Sequence, residues 1–134
     1  MVATVKYLHE ACVCHRDLRP DNIIVVPGSY DIKLIDFNVA VTLKTPAPDY
    51  EDEILGSTGL REWSAPETKT QLFYSAKCDL WSLGCLLRFM LDRCRKDSNV
   101  ELVSAGLCLV EGLLCVDQKS RYTFEILQNS EFLL

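Results

Sequence analysis

The spacing of apolar side chains changes several times along these 134 residues. Val2, Val5, Leu8 and Cys12 recur at helical intervals, which predicts a helix over residues 2–13. Ile23-Ile24-Val25-Val26 and Ile32-Lys33-Leu34-Ile35 are two short strand-like runs. Pro27-Gly28 between them suits the central positions of a type II turn, so residues 23–35 should form a hairpin. Residues 42–62 show no period and carry Thr, Pro, Gly and acidic residues, which predicts a long loop. Ser64 followed by Glu67 three residues on has the form of a capping box at the start of a short helix. Residues 79–91 are apolar on nearly every side, with Leu80, Trp81, Leu83, Leu86, Leu87, Phe89 and Leu91, so this helix should run through the core. Two further helices are predicted over residues 100–116 and 122–127. There is no internal repeat or low-complexity tract. The expected fold class is mainly α with a small β-hairpin, in one unit over residues 1–134.

Composition narrows the function. Hydrophobic residues are 49% and charged residues 25% of the chain, the proportions of a folded globular protein. A net charge of −5 argues against nucleic acid or an anionic membrane as partner. No apolar run approaches the roughly 20 residues that span a bilayer, and residues 1–6 lack the basic head and apolar stretch of a signal peptide. Seven cysteines, an odd number, fit reduced thiols used as small core residues, and with them a cytoplasmic or nuclear location. Cys12-Val13-Cys14-His15 is spaced too tightly for the usual zinc pair, and no second pair follows.

The chemistry-bearing residues gather around the hairpin. His15-Arg16-Asp17-Leu18-Arg19-Pro20-Asp21-Asn22 leads into it, and Ile35-Asp36-Phe37-Asn38 leaves it. Such a hairpin would bring Asn22 and Asp36 to one end, beside Asp17. One carboxylate able to accept a proton then sits beside an amide and a carboxylate able to hold a divalent cation. Phosphoryl transfer from a nucleotide needs that set, because its catalysis is mostly positioning and charge neutralisation.

Residues 15–22 resemble the catalytic loop of eukaryotic protein kinases of the serine/threonine type, and Asp36-Phe37-Asn38 is similar to their Asp-Phe-Gly. Ser64-Ala65-Pro66-Glu67 resembles the Ala-Pro-Glu element, Asp79-Leu80-Trp81-Ser82-Leu83-Gly84 the central helix, and Asp117 to Thr123 the Asp-x-x-x-Arg-x-Thr close. The resemblance implies the C-terminal, large lobe of the kinase fold. It implies a catalytic loop over 15–22, a hairpin over 23–35, an activation segment over 36–67 and a helical subdomain over 68–134. Asp17 would be the catalytic base and Arg19 the contact to the transferring phosphate. Asn22 and Asp36 would be Mg2+ ligands, and these two with Ile24 would contact ATP. His15, Arg16, Phe37, Glu67, Asp79 and Arg121 would be structural or regulatory, with Glu67 and Arg121 forming an ion pair. A protein hydroxyl would be the substrate.

The chain also departs from that pattern. It has no Gly-x-Gly-x-x-Gly loop and no Val-Ala-Ile-Lys lysine, so the lobe that covers ATP is not represented. A missing N-terminal lobe, or a partner protein in its place, is therefore implied. Arg19 stands where the family has lysine, a planar fork in place of a compact ammonium. Asn38 replaces glycine, Leu60 a threonine and Trp63 a tyrosine, and only residues 92–99 link the central helix to the next. The contrasting expectation is a catalytically inactive, pseudokinase-like interaction module or a gene fragment. Singly, each motif also has a plain structural explanation: Glu67 as a helix-capping residue, Arg121 as a solvated one, and Asp49 to Glu53 as a solvated acidic loop with Arg16 as a conceivable partner.

Overall fold

A computed structural model describes residues 1–29, 31–46, 53–56, 62–94, 100–130 and 132, with the side chain of Cys94 excepted. Helix α1, Val2–Glu10, buries Val5 and His9, which lie four residues apart on one face. It stops short of the predicted end. The Ala11 N–H closes on the Tyr7 carbonyl and the Cys12 N–H on that of His9, and Cys12 turns left-handed at φ 59°. The turn releases Val13–Cys14 as strand β1, which pairs antiparallel with a later strand, β4 (Val41–Thr42), in the register Val13↔Thr42 and Cys14↔Val41. The residues expected to finish a helix and to begin a loop thus form a ladder.

A single 3-10 turn, Pro20–Asn22, feeds the hairpin of β2 (Ile23–Val25) and β3 (Ile32–Leu34). Its turn is the expected one. Gly28 lies at φ 78°, where a side chain is disfavoured, and the Ser29 N–H donates to the Val26 carbonyl. A third ladder joins β5 (Ile54–Leu55) to β6 (Phe73–Tyr74). The described β-structure is therefore three separate two-stranded ladders, not one hairpin. Strands of two residues are too short to show a period.

Helix α2, Glu67–Thr70, has Pro66 at its N-cap and no side-chain cap bond. The capping box expected of Ser64 does not form, because Glu67 turns its carboxylate to Arg121. Helix α3, Lys77–Cys94, extends beyond the predicted 79–91 at both ends. Its first half is buried on nearly all sides, whereas Arg88, Met90, Asp92 and Arg93 are exposed. Helix α4, Val100–Leu113, packs along α3, and α5 is Phe124–Gln128. Both are shorter than predicted, because residues between them turn. The Arg121 N–H donates to the Asp117 carbonyl and the Tyr122 N–H to that of Gly112.

The main core joins Val5, Leu18, Leu80, Leu83, Leu86, Leu109, Leu113, Phe124 and Leu127. A second cluster joins Cys14, Leu43, Ile54, Ala65, Tyr74, Ala76 and Cys78. Helix α3 supplies both. It packs closely on α4 at Gly84, where an added Cβ would lie 2.8 Å from the Leu113 Cβ and 2.9 Å from the Leu114 Cδ2. Among the described residues no helix is long and apolar enough to cross a membrane.

Gly84→Ala sets this close approach against helix propensity. Overpacking costs about 1–3 kcal/mol, and the helix gain from replacing glycine is about 1 kcal/mol. The clash is with a Cβ, which cannot swing away, so we expect a net loss of about 1–2 kcal/mol. Urea denaturation reads it directly, and a variant as stable as the wild type would show that the α3–α4 contact is looser than the geometry here.

Candidate active site

The His15–Asn22 loop is pinned from three directions. The Asp79 carboxylate, 1% exposed, accepts the His15 N–H on Oδ2 at 2.8 Å and the Arg16 N–H on Oδ1 at 2.8 Å. His9 Nε2 lies 2.9 Å from the same Oδ2. Leu18 is driven into the main core with no exposure. From the far end of the loop, the Asn22 Nδ2 donates to the Asp17 carbonyl at 2.8 Å and to its carboxylate at 3.1 Å.

Arg16 sits at φ 65°, a conformation disfavoured for a residue with a side chain, and the Asp79 contact holds it there. Its guanidinium donates from Nε to the Val39 carbonyl at 2.6 Å and from Nη1 to the Tyr74 hydroxyl at 2.9 Å. The suggested partnership of Arg16 with the acidic run meets this arrangement: Glu53 is exposed and makes no contact with it, and Asp49, Glu51 and Asp52 lie outside the described residues. His15 is fully buried. Its Nδ1 accepts the Asp17 N–H at 3.3 Å, so the ring proton belongs on Nε2, which faces the Ile35 carbonyl at 3.1 Å. The imidazole thereby bridges the base of the loop to the exit of the hairpin, and Phe37 packs on it at 4.7 Å between ring centroids.

Asp36 follows, exposed, at φ 63°, which Asp tolerates better than most residues. Its Oδ1 accepts the Asn38 N–H at 3.4 Å. The Ile35 N–H donates to the Asn22 carbonyl at 3.0 Å, so the hairpin ladder places Asn22 and Asp36 at one end as expected. The other expected nucleotide contact, Ile24, is 46% exposed on the opposite face of the hairpin from Ile23, Val25 and Ile32. Those three line an open apolar groove of about 840 Å³ with Val2, Leu86 and Met90. The large groove therefore lies away from the polar site. Arg19 does not reach toward Asp17. Its Nε donates to Asp21 at 2.9 Å, and its Nη2 pairs with the same carboxylate. The hydrogen bond and charge of Asp21, with the charge of Asp17, favour its protonated form.

The donors at the hairpin end are an amide oxygen and an exposed carboxylate, the hard-oxygen set that Mg2+ takes in small number while keeping waters and substrate phosphates. Among the described residues, the clustered group with metal-like spacing is a different one, His9, Cys14 and Asp79, with ligand atoms within 4.8 Å of one another. Its carboxylate is already engaged by His9 and two backbone N–H groups, so it reads as a hydrogen-bonded junction.

Glu67 and Arg121 meet as the motifs implied. Both are buried, and the pair is bidentate, at 2.5 Å for Nη1–Oε1 and 2.9 Å for Nη2–Oε2. Arg121 also donates to the Cys115 and Lys77 carbonyls and lies over Trp81 at 5.1 Å. Leu60, which stands where the family has a threonine, lies outside the described residues. His9 and Tyr74 were not foreseen. His9 carried a signal, as a histidine four residues from Val5 on the apolar face of α1. Tyr74, in a two-residue strand, carried none.

This ordered loop, held by a buried carboxylate and an Arg–Glu clasp, agrees with comparison to known proteins. A sequence description of the protein kinase domain matches residues 1–101, and the chain belongs to that family. Mitogen-activated protein kinase kinase kinase 19 of Homo sapiens is 40% identical over 83 residues, covering 60% of this chain and 6% of that protein. Ribosomal protein S6 kinase alpha-4 of Homo sapiens is 40% identical over 95 residues, covering 68% and 12%. A putative ribosomal protein S6 kinase alpha-2 of Caenorhabditis elegans is 30% identical over 166 aligned positions, covering 93% and 21%. That alignment is longer than the chain, so this relative carries residues that the chain lacks. The chain spans between 6% and 21% of the length of these relatives.

Two outcomes test the anchors. Removing one partner of the Glu67–Arg121 pair leaves a buried charge, so Arg121→Met or Glu67→Met alone should lose about 3–5 kcal/mol, and the double variant should recover much of it. Additive losses in a double-mutant cycle would remove the coupling. For Asp79, burial pushes the carboxyl up, but the hydrogen bond and charge of His9 and the two backbone N–H groups outweigh it and hold the carboxyl below its ordinary value. Its stabilisation is thus complete above the unfolded value of about 3.9 and is lost as pH falls through the lower folded value. Urea midpoints taken from about pH 6 to about pH 2.5 should fall more steeply for the wild type than for Asp79→Asn, whereas parallel curves would contradict this.

Proposed function

We propose that this chain is the large-lobe part of a serine/threonine protein kinase, acting in phosphoryl transfer from ATP to a protein hydroxyl. The observation that carries the reading is the Asn22 amide, which donates to both the carbonyl and the carboxylate of Asp17 and so orients that carboxylate before any substrate arrives. Asp17 accepts the proton of the attacking hydroxyl. With its Nδ2 committed to Asp17, Asn22 has its Oδ1 to offer a cation, together with the Asp36 carboxylate. Mg2+, when bound there, neutralises charge on the phosphates of ATP. Ile24 borders the adenine side. Arg19 contacts the transferring phosphate after exchanging its Asp21 partner for it, an exposed pair of the kind worth only about 0–1 kcal/mol. The chain contains no glycine-rich loop and no matching lysine, so the cover over ATP comes from residues outside it, an N-terminal lobe or a partner protein. Its cysteine content suits a reducing compartment, the cytoplasm or nucleus.

The inactive interaction module is a second reading with an observation of its own. Among the described residues, an open apolar groove of about 840 Å³ lies away from the polar site and offers a surface for a partner. Experiment separates the two. Mn2+ with ADP, added to the 15N-labelled chain, should broaden the Asn22 side-chain amide and the backbone amides of residues 36–38, and Asp36→Asn should abolish the effect. No broadening at any attainable concentration would favour the inactive module. In a radiolabelled ATP assay, the chain alone should transfer no more phosphate than its Asp17→Asn variant. A clear Asp17-dependent signal would show that no outside cover is needed.

A further inference from the structure

Two thiols lie directly behind the catalytic loop. Cys14 Sγ and Cys78 Sγ are 3.7 Å apart, with residue exposures of 0% and 3%. Among the described cysteines these are the two that touch through sulfur; Cys12, Cys85 and Cys115 are half-buried and Cys108 is exposed. Their positions in the chain give the contact its meaning. Cys14 immediately precedes His15, and Cys78 immediately precedes Asp79. The thiols therefore flank the bonds from the His15 and Arg16 N–H groups to the Asp79 carboxylate.

We propose that Cys14 and Cys78 are an oxidisable pair that closes to a disulfide and covalently straps the catalytic loop to the first turn of α3. The sulfurs must approach from 3.7 Å to the bonded separation of about 2.05 Å, a change that side-chain rotation and a small backbone shift can supply. The oxidant is a hydroperoxide. One thiolate attacks its outer oxygen and becomes a sulfenic acid, releasing an alcohol, or water from hydrogen peroxide. The second thiol then attacks that sulfur and expels water. Two thiols lose two electrons and two protons, and the O–O bond is cleaved.

The surroundings make this a gated pair. Burial raises the Cys14 thiol well above its ordinary value, as do the Cys78 thiol and the Asp79 carboxylate beside it. The hydrogen bond with Cys14 lowers the Cys78 thiol, yet burial and the charges of Asp79 and Glu67 leave it raised as well. Thiolate is scarce while the site is closed, and the thiolate is the nucleophile. The cover over Cys14 is the two-residue ladder to Val41 and the Leu43 N–H bond to the Cys12 carbonyl. Release of that short strand exposes the pair to the oxidant. What the strap does to phosphoryl transfer rests on the function proposed above; whether it forms does not.

The test uses the full chain, reduced and then treated with hydrogen peroxide under native conditions. Unreacted thiols are blocked with N-ethylmaleimide in denaturant, and the digest is mapped without reduction. The expected product is one dominant cross-linked peptide joining Cys14 to Cys78, lost in Cys78→Ser and replaced by mixed pairings when the wild type is oxidised in urea. Separate alkylation of both cysteines after oxidation, or links scattered over Cys12, Cys85 and Cys108, would overturn the proposal. This readout needs no variant to fold. In the oxidised chain the His15 and Arg16 amides should exchange hydrogen more slowly than in the reduced one, and unchanged exchange would refute the strap. Failure of the Mn2+–ADP experiment would leave both results standing, so the two readings fall separately.

Discussion

The site depends first on one buried carboxylate. Asp79 lies in the first turn of α3, where the helix dipole favours a negative charge. A charge so deep is costly unless it is paired and hydrogen-bonded. Here His9 and the N–H groups of His15 and Arg16 all converge on it. In return it fixes two consecutive backbone amides, one belonging to a residue in the left-handed region. Such a conformation costs on the order of 1–3 kcal/mol and persists only where its surroundings impose it. Without the carboxylate, the backbone has no reason to turn at Arg16, and Asp17 loses its placement.

The first turns of α3 do more than hold Asp79. The Lys77 carbonyl accepts from Arg121, which clasps Glu67. Cys78 meets Cys14, and the Ser82 hydroxyl donates to the Trp63 carbonyl. The loop of residues 15–22, residues 63–67 and the turn before α5 are thus all tied to six residues of one helix. These ties are short-range and directional, unlike the leucine packing of α3 on α4. The helix can stay dry on nearly every side of its first half because its neighbours bring polar groups to it at specific points. A change anywhere in this hub should therefore be felt at the loop and at the Glu67 clasp together.

How much of this was legible in the sequence follows from the physics of each part. Helical periods and the Pro27-Gly28 turn are local signals, and the helices and hairpin stand where those signals placed them, with ends moved by a few residues. Ends move because the closing bonds are tertiary or turn-specific, as at Cys12, whose left-handed φ no periodicity announces. The two-residue ladders of β1–β4 and β5–β6 were invisible for the same reason: pairing partners decide them, not their own residues. The Ser64 capping box was a true local pattern overruled by a stronger distant partner, since a buried guanidinium holds Glu67 more firmly than a helix end could. Motif order brought Asn22 beside Asp17 and Glu67 beside Arg121. It did not reveal that Arg19 turns to Asp21, a choice made between two nearby charges that only geometry resolves.

The pattern of exposure across the site carries a last consequence. Residues expected to hold the loop, His15, Asp79, Glu67 and Arg121, are buried and mutually bonded. Of those expected to meet nucleotide or metal, Ile24 and Asp36 are exposed while Asn22, committed to Asp17, is buried, and Phe37, tilted against His15, is 44% exposed. Catalysis by positioning needs the first set to be rigid before substrate binds, because geometry lost to motion must be regained from binding energy. It needs the second set open until the ligand itself supplies the missing contacts. The chain has built the first condition internally. The second leaves apolar surface at the hairpin that water covers poorly, and only a ligand or a further protein surface can remove it. The Asp17 carboxylate is already buried and oriented by Asn22, so a ligand closing over the site would remove only its remaining contact with water and strengthen its charge interactions further.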